Sequence, residues 1–357
     1  MVLLINNIDQ RSLINMNECL ELLEDAIREE ALGKAVNRNK SILHIPTSDP
    51  ELWHNYVSIE GGITKSHYVA IRIRSDMERS VRTSLGSKVS EKYAGSLGNF
   101  CGLVFLYSSL NGELLAILND GHLQHMRVGA TYALGAKYSS KKDSRILCII
   151  GSGGMAFSHA VALSLVRSID LIRVYSPNRE HREKFATGLR EELQNSKVEV
   201  TDDTRRAMKG ADIVSACTTS LEPVIRAEWL EEGMHLSEVT QFEIDSNAFE
   251  RIDRYVHYRT GIPTHLVASS TFPKAPSGTM LGQDFALKVD SSKVVPLTEI
   301  LIGKSFGRTD NRQITMFFGE GTGVQFTAVA GKIYEEARKR GFGRELPSEW
   351  FLQDIRT

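Results

Sequence analysis

The sequence predicts an α/β fold, with a doubly wound parallel sheet in the middle of the chain and a mixed helix-and-strand region ahead of it. Two observations carry this reading. From Arg145 onward, short apolar runs alternate with helical stretches: Ile146–Ile150, Leu171–Tyr175, Lys197–Thr201, 212–217 and 234–239 read as strands, with helices at 156–166 and 179–193. The first of these strands runs directly into Gly151-Ser-Gly-Gly-Met-Ala156, a glycine-rich turn that opens a helix.

The elements before Arg145 follow from local signals. Asn15-Met-Asn-Glu18 is a capping box. Behind it Met16, Cys19, Leu20, Leu23, Ala26 and Ile27 recur at helical spacing, ending near Gly33. Strand character follows at 41–45, 53–59 and 68–73, and the polar, Gly- and Ser-rich stretch 75–99 reads as a long functional loop. Residues 102–107 and 114–118 form two strands around Asn111-Gly112, a hairpin signal. An Ala-rich helix covers 123–138, and the tail is helical again over Gly323–Arg340, with Phe326, Val329, Ala330, Ile333 and Ala337 on one face.

Composition narrows the function classes. At about 150 residues per domain, 357 residues make roughly two domains. Lys plus Arg total 43 and Asp plus Glu 44, a net charge of -1 that provides no electrostatic pull toward nucleic acid or an anionic membrane. The N-terminal apolar run is short and lacks a basic flank, and no apolar stretch reaches the roughly 20 residues of a membrane span. A cytoplasmic protein is expected. Cys19, Cys101, Cys148 and Cys217 show no metal-ligand spacing and read as free thiols, two of them inside apolar runs.

The glycine turn points to chemistry. Gly151-x-Gly153-x-x-Ala156, placed between a strand and a helix with a second strand following, is the Rossmann-type dinucleotide fingerprint. Its first glycine permits the turn, and its second lets the backbone approach a pyrophosphate lying on the helix N-terminus. Gly151, Ser152, Gly153, Gly154 and Met155 are therefore candidate cofactor residues. The end of the next strand reads Tyr175-Ser176-Pro177-Asn178-Arg179 and offers no carboxylate for a ribose diol. Ser176, Asn178 and Arg179 instead suit a 2′-phosphate, so NADP(H) is favoured over NAD(H). Thr218 and Thr219, at a strand end, are placed to line the nicotinamide ribose.

An ordered set of motifs resembles the ornithine cyclodeaminase/μ-crystallin family: Asp120-Gly121, Arg127-Val-Gly-Ala130, the Gly151 turn, Ala211-Asp-Ile-Val-Ser-Ala-Cys-Thr218-Thr219 through Pro223, then Gly307-Arg-Thr and 321–325. The resemblance implies a central nucleotide domain at 126–319, and a substrate-binding and dimerisation domain built from 1–125 with 320–357. It also implies hydride exchange between NAD(P) and the Cα–N bond of an amino or imino acid, in a homodimer. Residues carried over by the resemblance are Arg127, which would grip a substrate carboxylate, Arg72 at a position usually Lys, Arg38 and Glu60 as further substrate contacts, and Val239, Gly321 and Gly323 beside the cofactor. Arg72 lies in an apolar strand, where its charge needs an anion, either substrate or an acidic side chain.

Three departures from the family pattern matter. Val128 stands where Thr is usual. Arg72 replaces a Lys and so cannot shuttle a proton. Phe242 occupies the place where cyclodeaminases carry an Asp, with Glu243 and Asp245 offset by one and three residues. A reductase tolerates the last change, because a protonated imine accepts hydride directly. The expected function is therefore an NADP(H)-dependent oxidoreductase of a small carboxylate-bearing imino or amino acid. The alternatives are a cyclodeaminase with bound NAD, and a μ-crystallin-like protein that binds NADPH and a small ligand. Lys88, His122 and His125 are candidate proton donors.

Overall fold

A computed structural model describes residues 1–84, 86–241, 243–258, 264–267 and 289–353. Their strands form two sheets. The first is mixed and has the order Thr264–Val267, Ser41–Pro46, Trp53–Ile63, Tyr68–Arg82, Cys101–Ser108, Leu114–Asn119, Val2–Ile5, Arg344–Leu346. Ala35–Asn37, Lys88–Ala94 and Ser96–Leu97 pair off that path. The second sheet is parallel throughout, in the order Lys197–Thr201, Leu171–Tyr175, Ile146–Ile150, Ile213–Ala216, His235–Glu238, Thr315–Gly319, Arg254–Tyr258, Val294–Pro296. Its strand order reverses direction at Ile146–Ile150, which opens a crevice at the C-terminal ends of that strand and of Ile213–Ala216. The chain ends join the first sheet, since Val2–Ile5 pairs both with Leu114–Asn119 and with Arg344–Leu346.

The parallel strands are apolar because helices cover both of their faces. Leu147, Cys148, Ile149 and Ile150 are all fully buried. The helix Gly121–Ser139 is the spine between the two sheets. Its small residues let neighbours come close: a Cβ on Gly129 would lie 2.7 Å from the Ser158 carbonyl oxygen, and one on Gly135 would lie 2.2 Å from the Phe317 ring. Gly323, at the head of the helix Gly323–Arg340, sits on the strand Trp53–Ile63 so tightly that a Cβ would lie 1.9 Å from the Glu60 carbonyl carbon. The expected capping box on Asn15 and Glu18 is formed in both directions. Cys19, Cys148 and Cys217 are buried free thiols, and Cys101 is exposed.

The stretch 75–99 corrects the sequence reading. Instead of a long loop, the strand begun at Tyr68 continues to Arg82, and Lys88–Ala94 folds back on it in antiparallel register from Met77 opposite Tyr93 to Arg82 opposite Lys88. The apolar alternation stops at Ile73 because the inward positions change character. Arg72, Arg74, Asp76 and Glu78 share one face of the strand, where Arg72 packs on Phe326 of the helix Gly323–Arg340 and Arg74 and Glu78 face loops of the second sheet. Charge at alternate positions hides a strand from a hydrophobic pattern.

Candidate active site

The glycine turn has the geometry that a dinucleotide requires. Gly151 has φ +122°, and a Cβ there would lie 2.4 Å from the Cys217 carbonyl oxygen, so both conformation and contact demand glycine. Gly153 caps the helix Gly154–Val166 without any side-chain hydrogen bond, and Gly153 and Gly154 are exposed, leaving the first backbone N–H groups open to an anion. Met155 is half-buried beside them. The Ser152 hydroxyl donates to the Ser176 hydroxyl at 2.9 Å and ties the turn to the end of the second strand. There Asn178 accepts from the His181 N–H at 3.0 Å as a helix cap, Arg182 donates to the Ser176 carbonyl at 2.9 Å, and Arg179 is exposed at the rim.

Across the crevice, Glu243 organises the loops that follow two strands. Its carboxylate accepts from the backbone N–H groups of Thr218, Val239 and Thr240, at 2.5, 2.9 and 2.8 Å. Burial raises its pKa and those donors oppose the rise. This places Thr218, Thr219 and Val239 along the crevice and leaves Glu243 with a structural task. Its offset from the position of the cyclodeaminase Asp therefore matters, since its oxygens are engaged by backbone. Asp245 turns its own loop, accepting from Asn247 N–H at 3.1 Å. Phe242 lies outside the described residues.

Arg127 and Arg72 flank one buried ring. The Arg127 guanidinium carbon lies 4.7 Å from the centre of Phe326, and that of Arg72 lies 5.4 Å from it. Their partners differ. Arg72 donates through Nε to Asp120 at 2.7 Å, a buried ion pair. Arg127 donates to the neutral amides of Gln124, at 2.7 and 3.2 Å, and of Gln325, at 2.9 Å. Burial pulls the Arg127 pKa down to about 9, with Arg72 adding to the fall. A guanidinium holds its proton nevertheless, so the cost of burial is expressed as affinity for an anion. Backbone can approach this cation: a Cβ on Gly321 would lie 3.0 Å from Arg127 Nη2.

Lys40, which the sequence reading passed over, belongs to the same cluster. Its side chain is 18% exposed, its ammonium lies 4.0 Å from Glu320, and burial lowers its pKa, with Arg74, Arg127 and Arg72 acting in the same direction. Arg38 is more exposed and forms a two-pronged pair with Glu60, at 3.0 and 3.1 Å. Of the candidate proton donors, Lys88 is half-buried where Ser90 and Leu221 backbone N–H groups bond the Thr219 and Lys88 carbonyls, which ties a strand of the first sheet to a loop of the second. His125 packs on Gly154, and burial pushes His122 down to about 4.

A cavity of about 350 Å³ lies where the sheets meet. Thr218, Thr219 and Thr240 line one side, and His44, Asn55, Arg74, Glu78, Lys92 and His265 line the other. The site thus combines an anion-binding turn, a buried guanidinium without an acidic partner among the described residues, and a cavity lined by Thr218 and Thr219 from the crevice loops and by His44 and His265 from the first sheet. Such a site can hold a dinucleotide, anchor a small carboxylate and present the carbon next to that carboxylate to the cofactor.

The ornithine cyclodeaminase/mu-crystallin family pattern matches residues 85–341. The chain is 25% identical over 360 residues to a Delta(1)-pyrroline-2-carboxylate reductase of Bacillus cereus, covering 97% of this chain and 99% of that protein. It is 31% identical over 249 residues to an uncharacterised cyclodeaminase of Sinorhizobium fredii, covering 68% and 72% respectively. Among solved structures, Thermococcus litoralis Delta(1)-pyrroline-2-carboxylate reductase in complex with NADH and L-proline superposes with a TM-score of 0.77 at 26% identity, covering 97% of this chain and 100% of that one.

Proposed function

This chain belongs to the ornithine cyclodeaminase/mu-crystallin family, and we propose that it is an NAD(P)(H)-dependent reductase of a small imino acid, running in reverse as an amino acid dehydrogenase. The observation that carries this reading is Arg127, a buried guanidinium bonded only to amides among the described residues, beside a crevice built for a dinucleotide. The cofactor supplies or accepts the hydride. Arg127 fixes the substrate carboxylate with two parallel N–H donors, which orients Cα toward the crevice. Lys40 adds positive potential from within the same cluster, and Arg72, held by Asp120, braces Phe326 under the anchor. The Bacillus cereus and Thermococcus litoralis relatives, matched over almost the whole chain, support an imino acid as substrate class.

The finer assignments rest on this chain's own residues. NADP(H) is the preferred cofactor, because the strand end at Tyr175 carries Ser176, Asn178 and the exposed Arg179 and no acid. A homodimer is the working unit. Leu4, Ile117, Phe105 and Ile71 stand in register on adjacent strands of the first sheet. They occupy the face opposite Arg72, and Leu4 and Val69 are each 40% exposed there, an apolar surface that a two-fold partner would cover.

A panel of cyclic imines and of oxo acid plus amine pairs, followed by NADPH and NADH absorbance, tests the reading. Consumption of nicotinamide with a carboxylate-bearing imine is expected. The Sinorhizobium fredii relative keeps a cyclodeaminase reading in the comparison; ammonia release without absorbance change would establish it. Saturable NADPH and ligand binding without either signal would make the protein a binding module.

A further inference from the structure

The cavity holds a chain of hydrogen bonds whose direction can be worked out from its ends. Asn55 Nδ2 lies 2.6 Å from Glu78 Oε2, and only the amide NH2 can satisfy a carboxylate. Asn55 Oδ1 therefore faces His44 Nδ1 at 2.8 Å, and that ring nitrogen must carry a hydrogen. A neutral His44 then accepts at Nε2, where His265 Nδ1 lies 3.0 Å away and must be the donor. The two imidazoles are stacked, with centroids 5.3 Å apart and planes 8° from parallel. One atom remains at the end of the chain, Nε2 of His265, on a residue that lines the cavity opposite Thr218 and Thr219. The other end is anchored, because Glu78 also accepts from Ser90 at 2.7 Å and pairs with Lys92 at 3.2 Å.

We propose that His265, backed by His44, Asn55 and Glu78, delivers and removes the proton on the substrate nitrogen. His265 is the catalytic residue of this relay, and His44, Asn55 and Glu78 are positioning residues. The proposal rests on the reductase reading, and it fills a gap in it, since Lys88, His122 and His125 do not line the cavity. In the reductive direction a C–H bond forms with the hydride of NAD(P)H. The C=N π pair moves to nitrogen, and an N–H bond forms with the proton released from His265 Nε2. The cofactor loses two electrons, the protonated imine becomes an ammonium, and solvent reprotonates the imidazole. In the oxidative direction neutral His265 first takes a proton from the substrate ammonium, freeing the lone pair that expels hydride to NAD(P)+ and leaves the protonated imine.

The electrostatic surroundings suit a shuttle. Burial lowers the pKa of His44, opposed by Asn55 and Glu78, and burial lowers that of His265, with His44 and Lys40 adding to it. Burial would raise Glu78, but Lys92 and Ser90 hold it below its ordinary value, so it stays an acceptor. Arg74, Asp76 and Glu91 are the remaining charged groups around the chain. Both rings are therefore neutral at neutral pH, and a proton is shared along the pair as pH falls. Reduction should quicken with falling pH and oxidation with rising pH.

Two measurements on the full chain test this. Long-range nitrogen–proton correlation spectra of histidine-labelled protein, assigned with His44→Gln and His265→Gln, should show hydrogen on Nδ1 of both rings. Hydrogen on His44 Nε2 would overturn the relay whatever the activity. Second, His265→Gln should lower kcat for imine reduction about 100-fold and abolish the pH limb, with NADPH binding within about twofold of the parent. Glu78→Gln should shift the limb to lower pH. A His265→Gln variant that keeps both kcat and limb would overturn the relay alone. An unmodified protein that reduces no imine would overturn the reductase reading together with the relay's catalytic role.

Discussion

Arg127 and Arg72 lie against the same phenyl ring, yet burial has different consequences for the two. Arg72 is neutralised by Asp120, so removing the acid should leave an uncompensated charge: Asp120→Ala is expected to cost about 3–5 kcal/mol of stability in denaturant titration. Arg127 has no such partner among the described residues, and the proposed reaction uses it to hold the substrate carboxylate. Arg127→Lys keeps the charge and loses the fork, so kcat/KM for the imino acid should fall about 100-fold, roughly 2.7 kcal/mol, with NADPH affinity unchanged. Full activity in that variant would refute the carboxylate anchor. At the crevice rim, NADPH should bind about tenfold tighter than NADH, about 1.4 kcal/mol, and Arg179→Ala should erase most of the difference in a fluorescence titration. Arg127 and Arg179 could both be picked out from their surroundings in the sequence. Lys40 could not, because a lysine before a strand looks the same whether it faces solvent or, as here, other buried cations.

The elements differ in how openly the sequence declares them. Gly323–Arg340 and the strands Ile146–Ile150 and Leu171–Tyr175 have the extents read from periodicity alone, because each buries one consistent apolar pattern. Tyr68–Arg82 declares only its first half, since beyond Ile73 its covered face is charged. The junction of Gly323 with Trp53–Ile63 is likewise silent until the two meet, and it makes a sharp prediction. Gly323→Ala would set a Cβ 1.9 Å from the Glu60 carbonyl carbon, a contact only backbone movement can relieve. A loss of about 3 kcal/mol or more is expected, seen as a lower Tm together with weaker substrate binding. An unchanged Tm would show that the helix is not seated as described.

At the scale of the whole molecule, the first sheet uses its two faces differently. One bears Arg72, Arg74, Asp76 and Glu78 toward the cleft, and the other carries Leu4, Ile71, Phe105 and Ile117 outward. A two-fold pairing of the outward face predicts a mass twice that of the chain by light scattering at micromolar concentration. Phe105→Glu, placed centrally in that row, should shift the protein to monomer while leaving NADPH binding intact. A monomeric parent would refute the pairing. Among the described residues no helix is long and apolar enough to cross a membrane.

The parallel sheet, its glycine turn and the missing carboxylate at Tyr175 were determined by the sequence alone, because each depends on residues within about 30 positions of one another in a βαβ unit. Arg127 was singled out as well, through the motifs around it, and the structure shows it buried. The partners that give the site its chemistry were decided only by tertiary structure. Asp120 reaches Arg72 across 48 residues, Gln325 reaches Arg127 across 198, and His265 reaches His44 across 221. No local periodicity records such pairings. Each exists only because the fold brings separate elements together: the helices Gly121–Ser139 and Gly323–Arg340 bring Arg127 to Gln325, and the strand Thr264–Val267, paired beside Ser41–Pro46, brings His265 to His44.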